Sequence, residues 1–320
     1  MSYHFLMDLA LILLSTKILG LVAQKFQMPQ VVGALIAGLI LSPAGLGLLS
    51  ETEFTAQLSE LGVIVLMFSA GMGTDIKELK NSGKAGFMVA VLGVVVPFLM
   101  GTALAWGADE LGLIETTGFL ESVFIGTILT ATSVSITVET LKEMKKLEIK
   151  VGNTILAAAL IDDVLGLVAL TLVCSLAGGD ESIGMVLLKI AGFFVFAFVV
   201  GFAANRVFCW MLKRQHGWAS HRNSVFAFVL CLVMAYCAEK FFGVADITGA
   251  YAAGLAVACT PKGTYIQTKY NPLGYLLLTP VFFASIGINV QITGLTGGML
   301  AFSLLLLLIS IISKLLGCGL

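Results

Sequence analysis

Charged residues are scarce in this 320-residue chain. They make up 12% of the sequence, hydrophobic residues make up 58%, and the mean hydropathy is +1.02. Soluble globular domains carry about 25% charged residues. So little charge excludes an ordinary soluble domain and indicates a polytopic membrane protein. The 18 basic and 19 acidic residues nearly balance, so no basic surface for nucleic acid is expected.

Metal-binding, disulfide and phosphate-binding patterns are also missing. The three histidines have no metal-ligand spacing, so no metal centre is expected. The six cysteines are irregularly spaced within apolar segments, which favours small buried packing residues over a disulfide framework. No P-loop or GxGxxG sequence occurs, and no cofactor is predicted. The first apolar segment contains Lys17 and no small-residue cleavage site, which favours a transmembrane helix over a signal peptide.

Long apolar runs predict eleven membrane-spanning helices, since a helix needs about 20 apolar residues to cross a bilayer. The predicted spans are 4–24, 30–49, 58–74, 84–107, 118–140, 148–177, 183–211, 222–242, 245–260, 271–292 and 297–320. Fourteen Lys and Arg residues lie in alternate loops, whereas the intervening loops hold only Lys240. The positive-inside rule then predicts a multi-pass protein of the cell (inner) membrane with its N-terminus outside the cytoplasm.

A repeat relates the two halves of the chain. Residues 33–39 read GALIAGL and residues 249–255 read GAYAAGL, an offset of 216. The same offset aligns Ser69 with Ser285 and Gly71 with Gly287. An offset of 215 aligns AQKF at residues 23–26 with AEKF at residues 238–241. The offset spans seven helices, an odd number, so the two copies would have opposite orientations. This is the inverted-topology repeat of secondary transporters.

The repeat divides the chain unequally. We predict a first repeat at 1–182 with six helices, a connecting helix at 183–215, and a second repeat at 216–320 with four. Counterparts of the fifth and sixth helices would fall at about residues 334–394, beyond the last residue of the sequence. We therefore expect the C-terminal part of the second repeat to be missing.

The fifth predicted helix carries five hydroxyl side chains within eight residues, since residues 130–137 read TATSVSIT. Hydroxyl groups can satisfy main-chain groups where a transmembrane helix is interrupted, and irregular backbone in a membrane occurs beside a protein-lined cavity. The pattern predicts a broken helix whose carbonyl and hydroxyl oxygens face an ion. The alternative is polar packing between helices.

Asp162 and Asp163 lie side by side within the apolar stretch 149–176. A charged side chain at the bilayer centre costs roughly 2.5–3.5 kcal/mol on insertion scales, so two in succession indicate a function. Repulsion between the carboxylates and loss of hydration both favour the protonated acid. A carboxylate in this position can exchange a proton for a metal cation. Because adjacent helical residues point about 100° apart, one aspartate should face the ion cavity and the other a different partner.

Three lysines lie inside apolar runs. Lys314, within 304–320, is the predicted counter-charge for the aspartates, and the alternative is a side chain that extends to the membrane surface. Lys17 and Lys189 are expected either to extend to the surface in this way or to pair with another group.

These motifs resemble those of monovalent cation:proton antiporters, in particular the two-aspartate, electrogenic sodium/proton branch. The resemblance covers nearly the whole chain and depends on three motifs: ATS at 131–133, LIDDVLG at 160–166 and SKLLG at 313–317. It implies thirteen helices, of which eleven are present here, arranged as an inverted repeat with a discontinuous crossing helix. It also implies an ion-carrying core domain and a homodimer.

The resemblance implies a role for each site residue. Asp163 would be the main carrier of the ion and proton, and Asp162 the salt-bridge partner of Lys314. Thr132 matches a polar residue of the broken helix, and some members carry an aspartate at the position of Ser133. With Thr130, these residues form the predicted site for Na⁺ at Asp163 and Asp162.

The expected function is exchange of cytoplasmic Na⁺ or Li⁺ for external H⁺ by alternating access. The alternatives are a potassium/proton antiporter, a potassium-efflux type of transporter, a channel and a sodium-coupled symporter for an organic anion. An intramembrane aspartyl protease is disfavoured because adjacent residues of one helix cannot lie on both sides of a peptide bond. The chain is therefore not expected to be an enzyme.

Overall fold

A computed structural model of the chain describes residues 4–74, 76–114, 118–147, 149–176, 183–213, 220–260, 263–291 and 297–319. Every regular element in this part of the chain is helical. The helices are α1 (His4–Lys25), α2 (Gln30–Leu41), α3 (Glu53–Gly73), α4 (Ile76–Glu110), α5 (Phe119–Thr130), α6 (Val134–Glu143), α7 (Lys150–Leu176), α8 (Ile183–Lys213), α9 (Ser220–Phe242), α10 (Asp246–Ala258), α11 (Gly263–Leu273), α12 (Thr279–Ile288) and α13 (Gly297–Gly319), with a π-helical turn (Gly274–Leu278) joining α11 to α12.

All eleven predicted segments are helical. The fifth comprises α5 and α6, and the tenth comprises α11, the π-helical turn and α12. Nine helical stretches of the described chain are long and apolar enough to cross a membrane. α2 is shorter than predicted and ends at Leu41, because Ser42 precedes Pro43 and the residue before a proline disfavours the helical conformation.

Many large apolar side chains are exposed on the helix surfaces. Leu176, Phe198 and Leu276 are more than two-thirds exposed, at 73%, 76% and 68%. Such surfaces would promote aggregation in water, whereas lipid tails are as apolar as these side chains. These exposed apolar surfaces and the long apolar helices are features of a multi-pass membrane protein.

The cysteines only partly follow the prediction. All six are free thiols, as expected for a chain without a disulfide framework, but only Cys231 is buried. Cys174, Cys259 and Cys318 are exposed. The prediction of buried packing residues is wrong for these three, because an apolar segment in a membrane protein can present its small residues outward as well as inward.

The described chain divides into two compact units. Unit 1 comprises Met1–Ile76, Ser135–Ile149 and Phe193–Ile292, and unit 2 comprises Lys77–Val134, Lys150–Gly192 and Thr293–Leu320. These boundaries differ from those of the predicted repeats. A compact unit consists of helices that contact one another, whereas a repeat consists of the consecutive helices of one sequence copy. The repeat boundaries at 1–182, 183–215 and 216–320 stay a prediction.

Within unit 1, α2 packs against α12 through glycines on both helices. A Cβ atom added at Gly38 would overlap the main chain of Ala284, and one added at Gly287 would overlap the main chain of Leu35. Small residues on both helices allow the two backbones to approach this closely.

α10 packs against α3 in the same way. A Cβ atom added at Gly254 would overlap the main-chain carbonyl of Phe68, and one added at Gly71 would overlap that of Tyr251. Phe68 is fully buried at this contact, and Tyr251 donates a hydrogen bond from its hydroxyl to Thr74 Oγ1 at 3.1 Å.

The two contacts are reciprocal. Each residue of one contact has its counterpart in the other at the offset of 216 found in the sequence: Leu35 with Tyr251, Gly38 with Gly254, Phe68 with Ala284 and Gly71 with Gly287. Gly33 approaches the main chain of Leu19, and Gly249 approaches that of Met234. Such reciprocity is expected when two copies of one unit pack against each other, and the inverted repeat itself stays a prediction. The orientation of the copies in the membrane stays a prediction.

The contribution of the close contact at Gly254 to stability can be tested by substitution. We expect Gly254→Ala to lower the free energy of unfolding by about 1–3 kcal/mol, because the added methyl group forces α10 away from α3. The measurement is the midpoint of thermal unfolding of the purified protein. The matched control is Gly107→Ala on α4, where a Cβ atom would meet nothing within 4 Å. This control should leave stability unchanged or raise it by up to about 1 kcal/mol, since Ala favours the helix. Equal losses in the two variants would contradict the packing argument.

Candidate ion-binding site

The predicted broken helix is interrupted within its hydroxyl-rich segment. α5 ends at Thr130, α6 begins at Val134, and residues 131–133 are not helical. Ala131 is extended, with φ −60° and ψ 128°. Such an interruption leaves the last carbonyl groups of α5 and the first N–H groups of α6 without partners inside their own helices. The side chains of residues 131–133 are exposed.

Lys314, in α13, binds one of the unpaired carbonyl groups. Its Nζ donates a hydrogen bond to the carbonyl oxygen of Thr130 at 2.8 Å. It donates a second to the carbonyl oxygen of Gly93, in the middle of α4, at 2.9 Å. The Gly93 carbonyl lacks its usual helical partner because the residue four positions later is Pro97, which has no N–H group. Lys314 therefore satisfies two carbonyl groups, one left free by a proline and the other by the helix interruption.

Asp162 lies beside the same ammonium group. Its Oδ2 is 3.7 Å from Lys314 Nζ, within the range of an ion pair. The Thr132 side chain, from the interruption, forms a hydrogen bond with the Asp162 carboxylate. The residue is only 7% exposed, and its Oδ1 is buried without a hydrogen-bond partner in the described chain. A buried polar atom without a partner is costly, so this oxygen is suited to a cation or a proton.

Asp163 has different surroundings, although it follows directly in α7. Its side chain is half-buried, and the charge that acts on it is the neighbouring Asp162. Within the described residues, no salt bridge to Asp163 is present. The two carboxylates therefore differ: Asp162 is paired with a lysine, and Asp163 has no salt-bridge partner among the described residues.

The hydroxyl groups of the site differ in burial and in their hydrogen bonds. Thr130 is buried, and its Oγ1 donates a hydrogen bond to the Thr127 carbonyl at 2.7 Å. Thr132 Oγ1 lies 3.4 Å from the Thr130 carbonyl oxygen, at the long end for a hydrogen bond. Ser133 lies in the interruption with an exposed side chain. The carboxylate, hydroxyl and carbonyl oxygens gathered here are the ligands that hard cations prefer.

The sequence analysis missed Gly93 as a partner of Lys314. The available signal was Pro97 inside the predicted span 84–107, because a proline within a helix frees the carbonyl group four residues before it. Of the other two lysines, Lys17 donates a hydrogen bond from its Nζ to the Tyr275 hydroxyl at 3.1 Å. Lys189 is half-buried in α8, and its role stays a prediction.

Comparison with known proteins connects this geometry with a family. The family described as "Sodium/hydrogen exchanger, transmembrane" matches residues 10–320. The Na(+)/H(+)-K(+) antiporter GerN of Bacillus cereus is 36% identical over 323 residues, which cover 100% of this chain and 80% of that protein. The Na(+)/H(+) antiporter of Enterococcus hirae is 35% identical over 98% of this chain and 80% of its own length.

A solved structure has the same fold. The sodium proton antiporter MjNhaP1 from Methanocaldococcus jannaschii superposes with a TM-score of 0.70 at 20% sequence identity, covering 99% of this chain and 77% of that one. At this identity the likeness concerns the fold alone. With the family match over almost the whole chain and the two relatives above 30% identity, these findings show that the chain belongs to the sodium/hydrogen exchanger family of monovalent cation:proton antiporters.

Proposed function

We propose that the chain exchanges cytoplasmic Na⁺ or Li⁺ for external protons through competition at the Asp162–Asp163 pair. The observation that carries the proposal is the buried Oδ1 of Asp162, which has no hydrogen-bond partner within the described residues and lies beside the interruption of the α5–α6 helix. A cation bound there would complete the coordination of this oxygen, and a proton would neutralise it. Either occupant removes the cost of a buried carboxylate, but both cannot be present at the same oxygen.

The two aspartates have separate roles in this proposal. Asp163, which has no cation partner in the described chain, carries the Na⁺ ion or the proton. Asp162 contributes an oxygen to the ion and stays close to Lys314, which is held in place by the Gly93 and Thr130 carbonyl groups. Oxygens from residues 130–133, including the Thr132 and Ser133 hydroxyl groups, would complete the coordination of the ion.

The proposed cycle follows from the predicted topology. The N-terminus lies outside the cytoplasm, two inverted copies surround the site, and alternating access exposes the aspartates to each side in turn. Exchange of two protons for one cation would move one net charge inward per cycle, which adds about 2.3 kcal/mol of driving force per 100 mV. The protein would act in the membrane as a homodimer, as the family resemblance implies.

Potassium is the second candidate substrate, because the printed name of the relative GerN includes K⁺. A sodium-coupled symporter and a channel are the remaining alternatives. Proteoliposomes with a pH-sensitive dye inside separate them. External Na⁺, Li⁺ or K⁺ that enters in exchange for protons makes the lumen alkaline, whereas symport or passive conduction of the cation does not expel protons.

Replacement of Asp163 is the direct test of the carrier. Asp163→Asn keeps the size of the side chain and removes its charge, so we expect Na⁺-dependent alkalinisation to fall to the level of protein-free vesicles. Asp8→Asn, the same replacement in α1, should keep the wild-type rate. Full activity of Asp163→Asn would refute the assignment of Asp163 as the carrier.

Competition between Na⁺ and protons predicts a pH profile that moves with Na⁺. At low pH protons occupy the carboxylates, so more Na⁺ is needed for the same rate. A tenfold rise in Na⁺ should lower the pH of half-maximal exchange by about one unit if one proton competes, and by about half a unit if two compete. Initial rates at several pH values and Na⁺ concentrations measure this shift. A midpoint that is independent of Na⁺ would exclude a shared site.

The ion pair can be tested by a double-mutant cycle. Lys314→Gln leaves a buried carboxylate unpaired and weakens the bonds to two carbonyl groups, so we expect a loss of about 1.5–3 kcal/mol in stability. Asp162→Asn added to Lys314→Gln should cost less than it does alone, with a coupling of about 0.5–3 kcal/mol. Thermal unfolding of the four proteins gives the coupling, and Lys189→Gln is the matched control on α8. Additive effects would show that the two charges act independently.

A further inference from the structure

A polar cavity of about 320 Å³ lies within unit 1, and none of the candidate ion-site residues lines it. Most of its described lining residues are polar or charged; these are Ser69, Lys142, Lys145, Gln267 and Asn271. They come from α3, from the end of α6 with the turn that follows it, and from α11. The volume is at the lower end of the range found for ligand sites, so the cavity fits a small polar ligand.

Two lysines give this cavity its charge. Lys142 is half-buried and Lys145 is exposed, and no acid is among the described residues that line the cavity. Glu139, one turn before Lys142 in α6, is the acid on which Lys142 acts, but it lies outside the lining. In the described part of the chain neither lysine forms a salt bridge. Positive charge concentrated in a cleft favours an anion.

The backbone at Lys145 has the left-handed conformation, with φ 56°. Two main-chain bonds end α6 there: the Lys146 N–H donates to the Leu141 carbonyl at 2.8 Å, and the Lys145 N–H to the Lys142 carbonyl at 3.0 Å. Glycine is the usual residue at this position of such a helix end, because it has no Cβ atom. The helix end therefore does not account for a lysine here, and the side chain requires another explanation.

Two amide side chains add neutral donors. Ser69 Oγ donates to Asn271 Oδ1 at 2.6 Å, which leaves both N–H groups on Asn271 Nδ2. Gln267 Nε2 donates to the Ser69 carbonyl oxygen at 3.3 Å and keeps its second N–H. Among the described residues these remaining N–H groups have no partner, and both amide residues are half-buried. The bonds to Ser69 hold the two amides in place between α3 and α11.

We propose that this cavity binds the phosphate group of a phosphate monoester. Such a group carries a charge of about −1.5 to −2 at pH 7, which matches the two lysines, and its three terminal oxygens are strong acceptors. The ammonium and amide groups supply the donors for these oxygens. A carboxylate has half the charge and one acceptor oxygen fewer, and a cation would be repelled. No residue is shared with the candidate ion site, so the proposal does not depend on cation exchange.

The predicted topology places the turn that contains Lys145 on the cytoplasmic side. A phosphate monoester is available there from two sources, a soluble metabolite and the headgroup of a lipid. Both present the same group to Lys142 and Lys145, so the experiment has one arm for each source.

The test is a titration of the purified protein in maltoside detergent, which contains no phosphate. A ligand that binds only the folded state raises the midpoint of thermal unfolding. We expect a saturable rise with glycerol 3-phosphate as its N-methylglucamine salt, and none with N-methylglucamine chloride at equal ionic strength. The lipid arm compares dioctanoyl phosphatidic acid with dioctanoyl phosphatidylcholine in the same micelles. A specific rise in either arm supports the proposal and identifies the source, whereas no rise in both arms overturns it.

Lys145→Gly separates ligand binding from a role in the helix end. We expect the affinity for the ester that binds to fall by about tenfold, because one charged hydrogen bond is lost. The midpoint without ligand should stay the same or rise, since glycine accepts the left-handed backbone. The matched control, Lys146→Gly, removes the same charge outside the cavity and should keep the affinity within about twofold. Unchanged affinity in Lys145→Gly, or an equal loss in the two variants, would overturn the proposal.

Asn271→Asp tests the wall formed by α11. The new carboxylate still accepts the bond from Ser69, but it replaces the N–H donors with a negative charge. We expect the affinity for the same ester to fall by more than about tenfold, because like charges repel in the cavity. Wild-type affinity in a folded Asn271→Asp protein would show that the phosphate group binds elsewhere.

Discussion

The absence of water in the hydrocarbon core is the constraint on which the candidate site depends, because every main-chain carbonyl there needs a partner within the protein. Pro97 removes the partner of the Gly93 carbonyl, and the helix interruption removes that of Thr130. Lys314 donates to both, at 2.9 and 2.8 Å, and its charge then lies 3.7 Å from Asp162. The cation beside the aspartate pair is thus held by two carbonyl groups that lack helical partners, one within α4 and one at the end of α5.

Close approach of helix backbones organises unit 1. The contacts at Gly38 and Gly254 leave no room for a side chain, and each joins a helix of one predicted repeat to a helix of the other. Without a hydrophobic driving force between helices in lipid, such van der Waals contacts supply much of the association energy. Glycine and alanine at these positions serve packing.

Prediction from the sequence succeeded where the signal is local. Eleven helical segments followed from the apolar runs, nine of them in stretches of the described chain that are long and apolar enough to cross a membrane, and the interruption at 131–133 followed from a cluster of hydroxyl residues. It failed in detail where a neighbouring residue overrides the apolar pattern, as at Pro43, which ends α2 early. Pairing of Lys314 with Asp162 was implied by family resemblance and not by any spacing, because α7 and α13 lie far apart in the sequence.

The sequence by itself determined that the chain is a bundle of membrane helices with an acidic pair and an interrupted helix, because hydropathy, helix length and the cost of charge in lipid are properties of short segments. Only the tertiary structure decided which oxygens remain without partners. Within the part of the chain that the structure describes, Oδ1 of Asp162 has no hydrogen-bond partner because of the packing of helices distant in sequence, which determines the groups around that carboxylate. Hydrogen-bond satisfaction in a buried site is a property of all the elements that meet there.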